Sequence, residues 1–198
     1  MPAESIRVVV ANTAPVVAGW LGGFLEEFPK VFRDVHVLIR ELDEWYLSVE
    51  NLSCKLPTVP PLDIRGLASR WTQSAFLCTH VLTARQEKVA LQFSGRIHPE
   101  RPGEKRVDGE AVALARTLTE TGAVDALLAD EDGMRVVARA EGIPVIGSLW
   151  VVGELHRRGL LTLAEALAIP ARLMAHGQFV SPRVIETFSR QIRGPGKF

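Results

Sequence analysis

The chain has 198 residues, 47% of them hydrophobic, and a formal net charge of zero. That is enough apolar material for one core, or for one domain with an insertion, and it argues against disorder and against an overall basic field for nucleic acid. The zero sum hides opposed segments: residues 1–107 carry 13 basic and 12 acidic groups, 108–150 carry 3 and 8, and 151–198 carry 7 and 3. An acidic middle beside a basic tail suits a metal site flanked by an anion-binding surface, although helix faces also scatter charge this way.

The N-terminal "MPAESIRVVVAN" lacks a basic region followed by a long apolar core, and no run approaches 18 apolar residues. A cytoplasmic protein without membrane association is expected. "IRVVVAN" (6–12) is β-branched and continuous, the pattern of a strand buried on both faces. "TAPVVAGWLGGFLEEF" (13–28) spaces its apolar residues as a helix, with Pro15 in the first turn. "DVHVLI" (34–39) is a second strand and "RELDEWYLS" (40–48) opens a second helix. Residues 49–106 are the least legible: a Pro-rich "KLPTVPPLD", material for one strand and one or two helices, then the polar loop "RIHPERPGEKR".

From Val107 the pattern sharpens. "VDGEAVALARTLTETG" reads as a helix capped by Asp108 and ended by Gly122, "AVDALLA" as a strand, "DGMRVVARAEG" as a helix capped by Asp132, and "IPVIG" as a strand. Three helices follow, capped by Ser148, Thr162 and Ser181. Strand and helix alternating over short links is the grammar of a parallel sheet with helices on its faces. Such sheets bind ligands beyond the carboxyl ends of their strands. If the strands ending at Asn12 and Asp130 are neighbours, both residues share that edge, and Glu110 can lean over it.

Three acids, Asp130, Glu131 and Asp132, crowd one of these strand ends. Taken singly, each is ordinary at a helix start. Together with "VDGEA", "LLADEDGMRVVARAEGIPVIGSLWVVGELHRRGLL" resembles the C-terminal half of a predicted-nuclease branch of the PIN-domain superfamily. The matching positions are Glu110, Asp130, Glu131, Arg135, Gly147 and Ser148. "VVVANTAPVV", with Asn12 and Thr13, resembles that family's opening strand and its Asp-Thr-Ser-Pro turn, and "VHVLIRELDEW" its second strand and acid-bearing helix.

The resemblance implies a three-layer α/β/α sandwich with a mainly parallel sheet over residues 1–160, and a C-terminal helical extension over 161–198. It also implies a ribonuclease dependent on Mg²⁺ or Mn²⁺, many relatives being toxins of VapC-type toxin–antitoxin pairs. Hard cations take oxygen ligands and supply both a nucleophilic water and charge neutralisation on a phosphodiester. Carried over, Glu44, Glu110 and Asp130 are the expected ligands, with Glu131 or Asp132 as a further acid and Glu41 competing with Glu44. Asn12 stands where most members place an Asp; an amide coordinates but supplies no charge. Thr13, Arg135, Ser148, Arg157 and Arg158 are the expected substrate contacts, with Arg172 and Arg183 in the same basic tail. RNA, an antitoxin or other protein, and a second copy of the chain are the partners this reading admits.

Each residue has a plainer reading. Glu44 is a solvated helix acid, Glu110 satisfies its own first turn, Arg135 pairs with Glu131 across a turn, and Ser148 caps a helix. Asn12 favours a catalytically inactive PIN-like module that binds RNA or protein. The five histidines share no spacing, so zinc is disfavoured, and "WLGG" has no phosphate-loop pattern. Cys54 and Cys78 read as reduced, inert thiols.

Overall fold

The β-branched run near the start of the chain becomes the central strand of a parallel sheet in the computed structural model, which describes residues 6–100 and 106–194. The strands are β1 (Val8–Ala11), β2 (Asp34–Leu38), β3 (Leu77–His80), β4 (Ala126–Leu128) and β5 (Val145–Ile146), in the order β3-β2-β1-β4-β5, every pairing parallel. The chain lays β2 and β3 on one side of β1 and then crosses back to lay β4 and β5 on the other. The carboxyl ends of β1 and β4 therefore flank the point where strand order reverses, the crevice in which open α/β sheets bind ligands.

Helices cover both faces, giving three layers. Against one face lie α1 (Thr13–Gly22), α2 (Phe28–Val31), α3 (Ile39–Lys55), α4 (Ile64–Gln73), α8 (Ser148–Arg157), α9 (Leu163–Ala175) and α10 (Pro182–Arg193). Against the other lie α5 (Ala84–Ile97), α6 (Arg106–Glu120) and α7 (Asp132–Ala140). The central strand feeds both cores: Val9 and Ala11 of β1 face the first, Val8 and Val10 the second. This follows from the two-residue side-chain period and explains a run with no polar alternation. The C-terminal helices share the first core through Ile169, Leu173, Phe188 and Ile192.

Several boundaries differ from those read in the sequence. The helix expected over 13–28 ends at Gly22; Gly23, at φ 74°, takes the left-handed turn that stops it, and a 3-10 turn over Leu25–Glu27 leads into α2. The second helix starts at Ile39 and runs to Lys55, because Trp45 and Val49 keep its buried stripe going. Residues 49–106 hold the end of α3, then α4, β3 and α5; positions 1–5 of the N-terminal segment and 101–105 of the polar loop lie outside the described residues.

Three expected caps are also corrected. α6 begins at Arg106, so Asp108 lies inside its first turn and is buried; α7 is preceded by Glu131, leaving Asp132 as its exposed first residue; and α8 is preceded by Gly147, with Ser148 already helical. Thr162 and Ser181 do cap their helices, Thr162 through a capping box with Glu165. No described helix is long and apolar enough to cross a membrane.

Candidate metal centre and adjoining groove

Asn12 follows β1 directly, its backbone N–H donating to the Leu128 carbonyl of β4 at 3.0 Å. Its side-chain oxygen accepts from the Ala14 N–H at 3.3 Å and caps α1, while its amide nitrogen donates to Asp108 Oδ1 at 3.2 Å. The next residue, Thr13, donates both its N–H and its hydroxyl to Glu41 Oε1. Glu41 is fully buried, and its other oxygen, Oε2, has no hydrogen-bond partner among the described residues. Burial pushes the Glu41 carboxyl up to about 8; the Thr13 hydroxyl works against this, while the charges of Glu44 and Asp108 add to it.

Asp108 continues the chain of contacts. Its Oδ2 meets His98 Nε2 at 2.9 Å, and the same nitrogen lies 3.4 Å from Glu131 Oε1. His98, Asp108 and Glu131 thereby offer ligand atoms that all lie within 4.8 Å of one another. Two glycines permit this meeting. A Cβ on Gly109 would fall 2.2 Å from the Ala90 carbonyl oxygen and 2.6 Å from the Ser94 nitrogen, so only glycine lets α6 press on α5 closely enough to set Asp108 against His98. A Cβ on Gly133 would meet the Ile97 carbonyl at 3.1 Å, where α7 abuts the end of α5 and delivers Glu131.

Asp130, just past β4, has a different environment. It accepts from the Ser148 N–H at 2.8 Å and from the Ser148 hydroxyl. Burial pushes its carboxyl up, and the two Ser148 donors and Arg135 pull it back. Glu110 is buried too, but Arg106 Nε lies 2.8 Å and Arg40 Nη1 3.0 Å from its Oε1.

The sheet edge thus gathers Asn12, Thr13, Glu41, Asp108, His98 and Glu131 into one string, with Asp130 and Ser148 beside Glu131. Glu44, the preferred residue of its helix, is half-buried one turn beyond Glu41, which takes the deeper position. Asp132 is exposed and outside the ligand cluster. Glu110 turns to two arginines.

Arg157 and Arg158 do not join the site. Ser148 starts the ten-residue α8 and these residues lie at its far end, roughly 14 Å away at 1.5 Å per residue. There they hold Glu154, at 2.5 and 2.7 Å, and Arg158 also donates to the Lys30 carbonyl. Arg172 donates to the Gly22 carbonyl at 2.7 Å. Of the four arginines considered in the tail, Arg183 alone borders the acids, in a groove of about 630 Å³ shared with Asp130, Glu131, Arg135, Trp150 and Phe179.

Sequence reading missed His98 and mistook Asp108 for a cap. His98 closes α5, and lack of common histidine spacing hid two spatial meetings: His98 with the acids, and His36 with His80. The available signal was the "DGE" of α6, with acids on either side of a glycine.

Residues 101–193 match a family model described as a PIN domain. No curated protein matches the chain.

Proposed function

Through residues 101–193 the chain belongs to the PIN-domain superfamily, and from that premise we propose that it is a metal-dependent ribonuclease. The observation that carries this reading is the unpartnered Oε2 of fully buried Glu41, coupled by charge to Asp108, which itself adjoins His98 and Glu131. A buried carboxylate oxygen without a donor, among further acids, is costly unless the group is protonated or a cation answers it. His98, Asp108 and Glu131, whose ligand atoms lie together, suit Mg²⁺ or Mn²⁺, the imidazole nitrogen favouring Mn²⁺, and Glu41 would join them through Oε2. Bound there, such an ion lowers the pKa of a water and neutralises charge on the scissile phosphate.

The chain's own residues prepare this centre. Thr13 fixes one oxygen of Glu41, leaving the other to point at a ligand. Asn12 aligns Asp108 and ties it to the start of α1, a positioning role that an uncharged amide can fill. Glu110 holds the guanidiniums of Arg40 and Arg106 at the rim, where they can meet phosphate. Arg135 and Arg183 line the groove beside Asp130, and Phe179, 89% exposed, offers a face on which a base can stack. Single-stranded RNA is the substrate these features suit, and a protein antitoxin is a partner in keeping with the family.

The second reading is a catalytically inactive module that binds RNA or protein. It is favoured by the uncharged Asn12 and by the neutralisation of Glu110. Mn²⁺ titration by calorimetry beside a cleavage assay on mixed RNA separates the two. The nuclease requires one Mn²⁺-dependent activity that chelator abolishes; metal binding without cleavage selects the module, and loss of neither on Glu41→Gln removes the site.

A further inference from the structure

We propose that His36 and His80 form a second cation site, for a divalent transition metal of the Ni²⁺ or Cu²⁺ kind, at the β2–β3 edge of the sheet. The two residues belong to adjacent parallel strands, with Leu38 opposite His80 and His36 opposite Cys78, so both side chains rise from the same face. β3 is the outermost strand, and both rings are half-buried and half open to solvent. His36 Nδ1 and His80 Nε2 lie 2.8 Å apart, and the rings stack with centroids 5.0 Å apart at 22°.

The two nitrogens are hydrogen-bonded to each other, and a shared ion would take the place of that bond. With metal–nitrogen bonds of about 2.0–2.1 Å, nitrogens 2.8 Å apart subtend roughly 85–90° at a shared ion. That is the angle of neighbouring ligands in square or octahedral coordination, which Ni²⁺ and Cu²⁺ favour, whereas a tetrahedral ion would spread the nitrogens to roughly 3.3 Å. The ligand form is also at hand. Burial lowers the pKa of both rings, and for His36 the charges of His80 and Arg33 lower it further while Asp34 raises it. Neutral imidazoles need lose no proton to bind: the ring whose facing nitrogen carries the hydrogen shifts it to its other nitrogen. The remaining coordination positions face solvent and take water.

The site stands apart from the His98 cluster, which is built from the end of α5, α6 and the start of α7, so its test must separate the two. Calorimetric titration of the tag-free chain with NiCl₂ should show a site that survives His98→Asn and weakens at least about tenfold in His36→Asn and in His80→Asn. Paramagnetic broadening by Ni²⁺ of the His36 and His80 ring resonances in the unaltered chain supplies a readout that does not depend on the variants folding. Nickel uptake lost only in His98→Asn, or ring resonances of His36 and His80 that stay sharp at saturating metal, would overturn the proposal.

Discussion

Glu41 and Asp130 are buried at the same edge of the sheet and meet opposite surroundings. Asp130 receives two donors from Ser148 at the start of α8 and has Arg135 nearby, all of which favour its charged form against the effect of burial. Glu41 receives both its donors on one oxygen, keeps the other without a partner among the described residues, and has Glu44 and Asp108 as charge neighbours. Burial pushes both carboxyls up, but at Asp130 each oxygen is answered by a Ser148 donor. A carboxylate wrapped in acids is comfortable only when protonated or when a cation arrives.

The sharpest test of that contrast is Glu41→Gln. Losing a buried ligand should cost about 100-fold or more in Mn²⁺ affinity and in any cleavage, while melting in chelator should rise, because the unanswered carboxylate is gone. The pH dependence follows from the same group. Its folded pKa, about 8, lies above the unfolded value of 4.5, so its contribution to stability is complete below about 4.5 and is lost as pH rises through about 8. In chelator the chain should weaken between pH 5 and 8, by on the order of a few kcal/mol, and then level off. Thermal melts of Glu41→Gln should lack most of that slope, and Mn²⁺ should flatten it in the parent. Parallel slopes for parent and variant would break the comparison.

Asp130→Ala should behave in the opposite sense. Removing the acceptor strands the Ser148 N–H and hydroxyl at the head of α8 and should cost about 2–3 kcal/mol in chelator and in Mn²⁺ alike, read by urea melts. A cost that vanishes on adding Mn²⁺ would move Asp130 into the metal centre.

How far the sequence revealed this edge depends on periodicity. β1, β2, β4 and β5 were legible as apolar runs set between helical patterns, and the edge itself followed from parallel grammar; β3 lies in the 49–106 stretch, where the sequence placed no element. What the helical acids do was harder. Glu41 and Glu44 are three residues apart and share a helix face, so pattern alone does not rank them; depth beside Thr13 does, and that is a tertiary fact. Asp108 and Glu110 are two apart, about 200° around the helix, so they cannot face the same partner. The close approach at Gly109 turns Asp108 toward Asn12 and His98, and Arg40 and Arg106 take Glu110. His98 closes α5 just ahead of the Pro and Gly breakers of the polar loop, and was read with that loop.

Asn12→Asp probes the boundary between the two environments at smaller scale. The amide that donates to Asp108 at 3.2 Å would become an acid facing an acid. Stability in chelator should fall by about 1–2 kcal/mol, and Mn²⁺ should restore it, with cleavage rising. Melts of parent and variant that respond identically to metal would place Asn12 outside the centre.

The smallest expected effects concern arginines, and they decide on which side of the acids RNA runs. Arg183 borders the groove that reaches Asp130 and Arg135, whereas Arg157 is at the far end of α8, 2.5 Å from Glu154. A phosphate contact releases counterions, so its removal weakens binding and lowers the slope of log affinity against log salt by about one. Arg183→Ala should do this; Arg157→Ala should leave both quantities unchanged, since its guanidinium is already engaged by an acid remote from the site. Fluorescence anisotropy with a short single-stranded RNA across a salt series measures the slopes. If Arg157→Ala changes the slope and Arg183→Ala does not, RNA follows the outer end of α8 and the groove beside Asp130 is not its path.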